Sequence, residues 1–161
     1  MSKELEFLII HCTDTPEGRE VTGNDIRLWH LSPVSKGGRG WKQVGYTDIV
    51  HLDGKIENLV PNNNDNIVDP WEITNGVLGK NNVSRHIVYS GGKGKLPGLS
   101  MDTRTPAQKE ALKKFVLDFV KKHPKVKIAG HYHFAAKACP AFDVEKWCVE
   151  IGVPSVNIYK K

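Results

Sequence analysis

The sequence predicts an α/β domain with a central mixed β-sheet flanked by helices. Three runs have the length and character of strands: Leu5–Cys12, compact, apolar and β-branched, the alternating Val83–Tyr89, and Val126–Tyr132. A capped amphipathic helix lies between the last two, over the residues that follow Thr105. The length of 161 residues suits one domain, spanning 1–161, with a sizeable core and little room for a second.

The first run is halted by Thr13-Asp14-Thr15-Pro16, and His11 stands where a central strand meets its loop. Open α/β sheets place functional groups there, although a lone histidine in such a run is more often a hydrogen-bonded core residue. Asn24 or Thr22 caps a helix beginning near Asp25, with Ile26, Trp29 and His30 at helical spacing and Pro33 as its stop. His30 reads as packing. Ser35–Gly40 is a glycine-rich loop without a phosphate-loop lysine pattern; it could border a cleft, but it reads first as a plain surface loop. Val44–His51 has strand character, Asp53-Gly54 is a hairpin signal, and Lys55–Leu59 is the return strand. Tyr46 within it reads as a core aromatic whose hydroxyl finds a partner.

Residues 61–80 form a long polar connection, and a connection of that length is functional or disordered. Trp71 in it either anchors a surface or covers the core. Along Val83–Tyr89 the side chains alternate, leaving His86 between packing and cleft lining. Thr105-Pro106-Ala107-Gln108 is a capping box with proline at the first helical position. Ala111, Leu112, Phe115, Val116, Phe119 and Val120 then make one apolar stripe, ended by Pro124. Asp143 caps a last helix through Trp147 and Cys148.

Composition narrows the function classes. A hydrophobic fraction of 39% and a charged fraction of 25% are those of an ordinary globular protein. No apolar run approaches the roughly 20 residues of a membrane span, and Met1–Glu4 does not open a secretory signal. Three cysteines make no disulfide framework. The expectation is synthesis in a reducing cytoplasm, with any action outside it following release or export. The net charge of +5 favours an anionic partner. Its lysines are scattered, however, and fit a solvated helix face better than a nucleic-acid stripe. No nucleic acid is required, and nothing demands more than a monomer.

The chemistry concentrates in Gly130–Pro140, which holds two imidazoles, an ammonium and a thiol: His131, His133, Lys137 and Cys139. Neutral imidazole and thiolate are the usual zinc ligands, and three of them with one open position describe a catalytic zinc. No Cys-x-x-Cys knuckle exists in the chain, so the segment needs a ligand from elsewhere. His11 is the best candidate. Cys12 points to the opposite face of its strand and reads as buried rather than ligating.

Taken in order, Ile10-His11, Ile26-Arg27-x-Trp29-His30, Val44-Gly45-Tyr46, Gly130-His131 and Lys137-Ala138-Cys139-Pro140 resemble the type-2 N-acetylmuramoyl-L-alanine amidases. That family includes phage lysozymes and shares its fold with peptidoglycan recognition proteins. Each motif alone is weak; the ordered set is specific and runs from about Leu5 to Ile151. The resemblance implies zinc on His11, His131 and Cys139, with Tyr46 and Lys137 beside the metal as catalytic residues. It implies a peptidoglycan (muropeptide) substrate cut between the lactyl group of N-acetylmuramic acid and L-alanine. Lys137 and Tyr46 would stabilise the oxyanion, and Tyr46 or the activated water would handle the proton. His133, two positions beyond His131 in an expected strand, would share its side.

Departures from the family pattern fall at Thr47 and at Asn75 or Gly76, where relatives often carry histidines, along Val83–Ile87, and in a longer Ser32–Gly40 loop. Two other readings compete with the amidase. A non-catalytic peptidoglycan receptor would be signalled by loss of the cysteine ligand. A structural zinc site in a nucleic-acid-binding protein would give metal-dependent folding.

Overall fold

The computed structural model describes all residues, 1–161, and shows the mixed α/β architecture. Five strands form the sheet: β1 (Phe7–Cys12), β2 (Asp48–Val50), β3 (Ile56–Asn58), β4 (Ser84–Tyr89) and β5 (Lys127–Gly130). Their order is β3-β2-β4-β1-β5. β1 lies parallel to β4 and β5, β2 parallel to β4, and only β3 runs antiparallel, through the Asp53-Gly54 hairpin. β1 and β4 are buried at every position, as parallel strands covered on both faces must be.

Alternation along β1 divides the core. Leu8, Ile10 and Cys12 face one layer with α2 (Pro106–Lys122) and α3 (Val144–Ile151), through Leu112, Val116, Val144 and Trp147. On the other face, Phe7 and Ile9 pack with Val77. There Ile49 and Val88 of β2 and β4 meet Ile26 of α1 (Gly23–Leu31). His11 shares that second face. No helix is long and apolar enough to cross a membrane.

The capping box of α2 does more than start a helix. Thr105 Oγ1 accepts from Gln108 N–H at 3.0 Å and donates to Leu52 C=O at 2.7 Å, while Gln108 Oε1 accepts from Thr105 N–H at 2.9 Å. Gln108 is fully buried, and its Nε2 also donates to Val50 and Ser90 carbonyls. One side chain thus ties the helix to the ends of β2 and β4. Gln108→Ala is expected to cost roughly 2–4 kcal/mol, because each orphaned buried partner costs about 1–3 kcal/mol. Urea unfolding with an unchanged slope measures it; a loss under roughly 0.5 kcal/mol, the range of ordinary surface changes, contradicts it.

Three elements differ from the sequence expectation. The Val44–His51 strand shrinks to Asp48–Val50, because Gly45 N–H donates to His30 Nδ1 at 2.9 Å and Asn75 N–H to Val44 C=O at 3.0 Å, which takes the backbone out of the ladder. The last strand ends at Gly130, and His131–His133 form a 3₁₀ turn. Residues 61–80 are ordered. The buried Glu72 carboxylate accepts from the backbone N–H groups of Asn63 and Asp69, and Ile67–Val68 pairs with Lys3–Glu4. Trp71 is an exposed surface residue.

Candidate metal centre

His11 lies near the end of β1, and His131 directly follows β5, the parallel neighbour of β1. Ile10 is in register with Gly130, so the residues that follow each emerge together at the C-terminal end of the sheet. That end is where α/β sheets place their binding crevice. His11 Nδ1 lies 3.2 Å from His131 Nδ1 and 3.9 Å from Cys139 Sγ, and the three donor atoms all lie within 4.8 Å of one another. Tetrahedral coordination with metal–N of about 2.0–2.1 Å and metal–S of about 2.3 Å sets N···N edges of roughly 3.3 Å and N···S edges of roughly 3.6 Å. The two edges from His11 come close to these values, the third stays within 4.8 Å, and imidazole with thiolate suits zinc.

The electrostatics suit ligation as well. Burial, followed by His86, His131 and Lys137, holds His11 well below the ordinary histidine range. Burial and Lys137 bring His131 down to about 4. Both rings are thus neutral, the form that binds metals. The neighbouring Cys12 side chain and burial push the Cys139 thiol up, so a cation taken up here displaces a proton. Cys12 itself is buried in the layer below, and its backbone N–H donates to Cys139 Sγ at 3.2 Å.

His131 and Cys139 line a cleft of about 490 Å³ together with Trp29, His30, Arg39, Tyr46 and Lys137, and His11 is buried directly behind them. The Tyr46 ring sits 5.1 Å from that of His11, and burial pushes its hydroxyl up, so the phenol keeps its proton and acts as a donor. Lys137 is exposed on the same rim. His30 both packs and lines the cleft: its ring lies tilted against those of Trp41, 4.8 Å away, and Tyr46, 5.4 Å away.

His133 is directed elsewhere. Within the 3₁₀ turn its Nδ1 accepts from Gly130 N–H at 2.9 Å and its Nε2 meets Glu145 of α3 at 3.0 Å. Thr47 likewise avoids the cleft, its Oγ1 accepting from His86 N–H at 3.2 Å. Sequence reasoning missed Arg39, which stands in the cleft with its guanidinium 5.0 Å from the Trp41 ring. The glycine-rich loop around it was the one available signal.

A cleft at strand C-termini, floored by imidazoles and a thiol and rimmed by an ammonium, defines a hydrolase-like site. The family model for N-acetylmuramoyl-L-alanine amidase matches residues 1–142, and the chain belongs to that family. It is 29% identical to the endolysin of Escherichia phage T7 over 148 residues, covering 90% of this chain and 86% of the relative. In structure it is similar to the Ph2119 endolysin from a Thermus scotoductus bacteriophage, with TM-score 0.67 and 24% identity, over 93% of this chain and 86% of that one. Bumblebee PGRP-SA shares the fold at TM-score 0.64 and 18% identity, over 91% and 81% of the two chains.

Proposed function

We propose that residues 1–161 form one zinc-dependent amidase unit. It hydrolyses peptidoglycan at the amide between the lactyl group of N-acetylmuramic acid and L-alanine of the stem peptide. The carrying observation is that one donor atom each from His11, His131 and Cys139 lie within 4.8 Å of one another at the base of the cleft. Family membership supports the bond type, and the phage endolysin relatives support the cell wall as the place of action, reached after release or export.

In this reading His11, His131 and Cys139 hold zinc, which when bound polarises the scissile carbonyl and acidifies water. The chain's own groups do the rest. Lys137 brings a positive charge to the rim, where negative charge develops on the carbonyl oxygen. Tyr46 Oη, its proton retained by burial, donates a hydrogen bond to that oxygen. The walls formed by Trp29, His30 and Arg39 orient the substrate over the three donors. The Lys137 and Tyr46 interactions strengthen as charge develops on the carbonyl oxygen, which is what accelerates the step.

Digestion of purified peptidoglycan, with product masses read with and without chelator, tests the proposal. Free stem peptides beginning with L-alanine are expected, lost on chelation and restored by zinc. Glycan fragments or peptides cut elsewhere contradict it. Binding without any product would make the chain a receptor.

A further inference from the structure

We infer that Asn81 and His86 are positioning residues that fix the tautomer of His11 and so aim its Nδ1 lone pair at the metal; this rests on the metal centre proposed above. The argument begins with a group that has no choice. The Val77 backbone N–H can only donate, and it donates to Asn81 Oδ1 at 2.8 Å, which sets the orientation of the Asn81 amide. The same oxygen lies 3.0 Å from His86 Nε2, so that nitrogen carries a hydrogen and donates.

His86 is fully buried, and no carboxylate is hydrogen-bonded to it, so its ring is neutral and the other nitrogen, Nδ1, is an acceptor. His11 Nε2 lies 2.8 Å from that acceptor and must donate to it. His11 Nδ1 is then left without hydrogen, facing His131 Nδ1 at 3.2 Å and Cys139 Sγ at 3.9 Å. Four groups thus pass one constraint from a backbone amide to a ligand atom. A metal-bound histidine is held this way when its second nitrogen donates to a fixed acceptor.

Glycine at position 76 makes the arrangement possible. A Cβ there would come within 2.4 Å of His86 Nδ1, so the ring seats directly against bare backbone. The relay therefore depends on three positions, Gly76, Asn81 and His86, that are not among the residues lining the cleft.

The test has two readouts besides turnover. Nitrogen-15 NMR of the imidazoles in metal-free protein is expected to show His11 protonated on Nε2. A His11 protonated on Nδ1 overturns the relay. Zinc affinity by chelator competition is expected to fall roughly 10–100-fold in His86→Leu, the usual size for losing such a partner. His86→Asn, whose Oδ1 stands near the lost Nδ1, is expected to keep much of the affinity. Should His86→Leu fail to fold, Asn81→Ala, which releases His86 to either tautomer, is expected to give a mixed His11 signal and weaker zinc binding. Folded variants that bind zinc as tightly as wild type overturn the relay alone. A wild type that binds no zinc, or a Cys139→Ala variant that binds it equally well, overturns the metal centre instead.

Discussion

Cys139→Ala is expected to yield a folded protein that retains no zinc and releases no stem peptide. The thiol is half-buried, lines the cleft and touches the main core only at its margin, so the change is local. It leaves His11 and His131 as two neutral donors, one short of the three that hold a catalytic zinc. The loss should reach the detection limit of the assay in both metal content and activity. Circular dichroism and metal analysis on the same sample check it. A fully active, metal-free variant refutes the assignment of Cys139.

Lys137→Ala is expected to separate chemistry from metal binding. Lys137 is exposed and is not among the three converging donors, so zinc content should stay at the wild-type level. Turnover should fall about 10²–10³-fold, the usual effect of removing one well-placed group that stabilises an oxyanion. The fall should appear in kcat rather than in KM, because the charge it answers exists only in the transition state. Unaltered rates remove Lys137 from the mechanism.

The features legible in the sequence are those decided by local pattern. β1 follows from the apolar run Leu5–Ile10, and α2 from the Thr105 capping box and its stripe. α3 follows from Asp143, which accepts from Lys146 N–H at 3.0 Å as an N-cap should. Between the two candidate caps of α1, the structure selects Thr22, because the Asp25 carboxylate reaches back to Thr22 N–H at 2.9 Å and completes a reciprocal box. The set His11, His131 and Cys139 comes with the family resemblance, which also selects His131 over His133, whereas the adjacency of β1 and β5 that brings these residues together is seen only in the sheet order.

Features decided by tertiary contacts were not legible. Tyr132-His133 continues an apolar run and looks extended, yet Glu145 of α3 and the Gly130 amide capture His133 and wind the chain into a turn. The polar stretch 61–80 resembles a free loop because its organiser, the buried Glu72 carboxylate, bonds backbone amides rather than matching any side-chain motif. His86 was ambiguous for the same reason. Its partners, His11 and Asn81, lie 75 and 5 residues away, and only the sheet register brings them together. Arg39 reaches the cleft because the turn at Val34–Lys36 and the glycines after it fold the loop back onto α1, where Arg39 N–H donates to Trp29 C=O at 3.0 Å.

X-ray absorption at the zinc edge of the loaded protein tests the shared ion most directly. The expected spectrum has one sulfur neighbour at about 2.3 Å and nitrogen or oxygen neighbours at about 2.0–2.1 Å, four in all. The sulfur should vanish in any zinc that Cys139→Ala still carries. A wild-type spectrum without sulfur, or with two, contradicts a centre built from His11, His131 and Cys139.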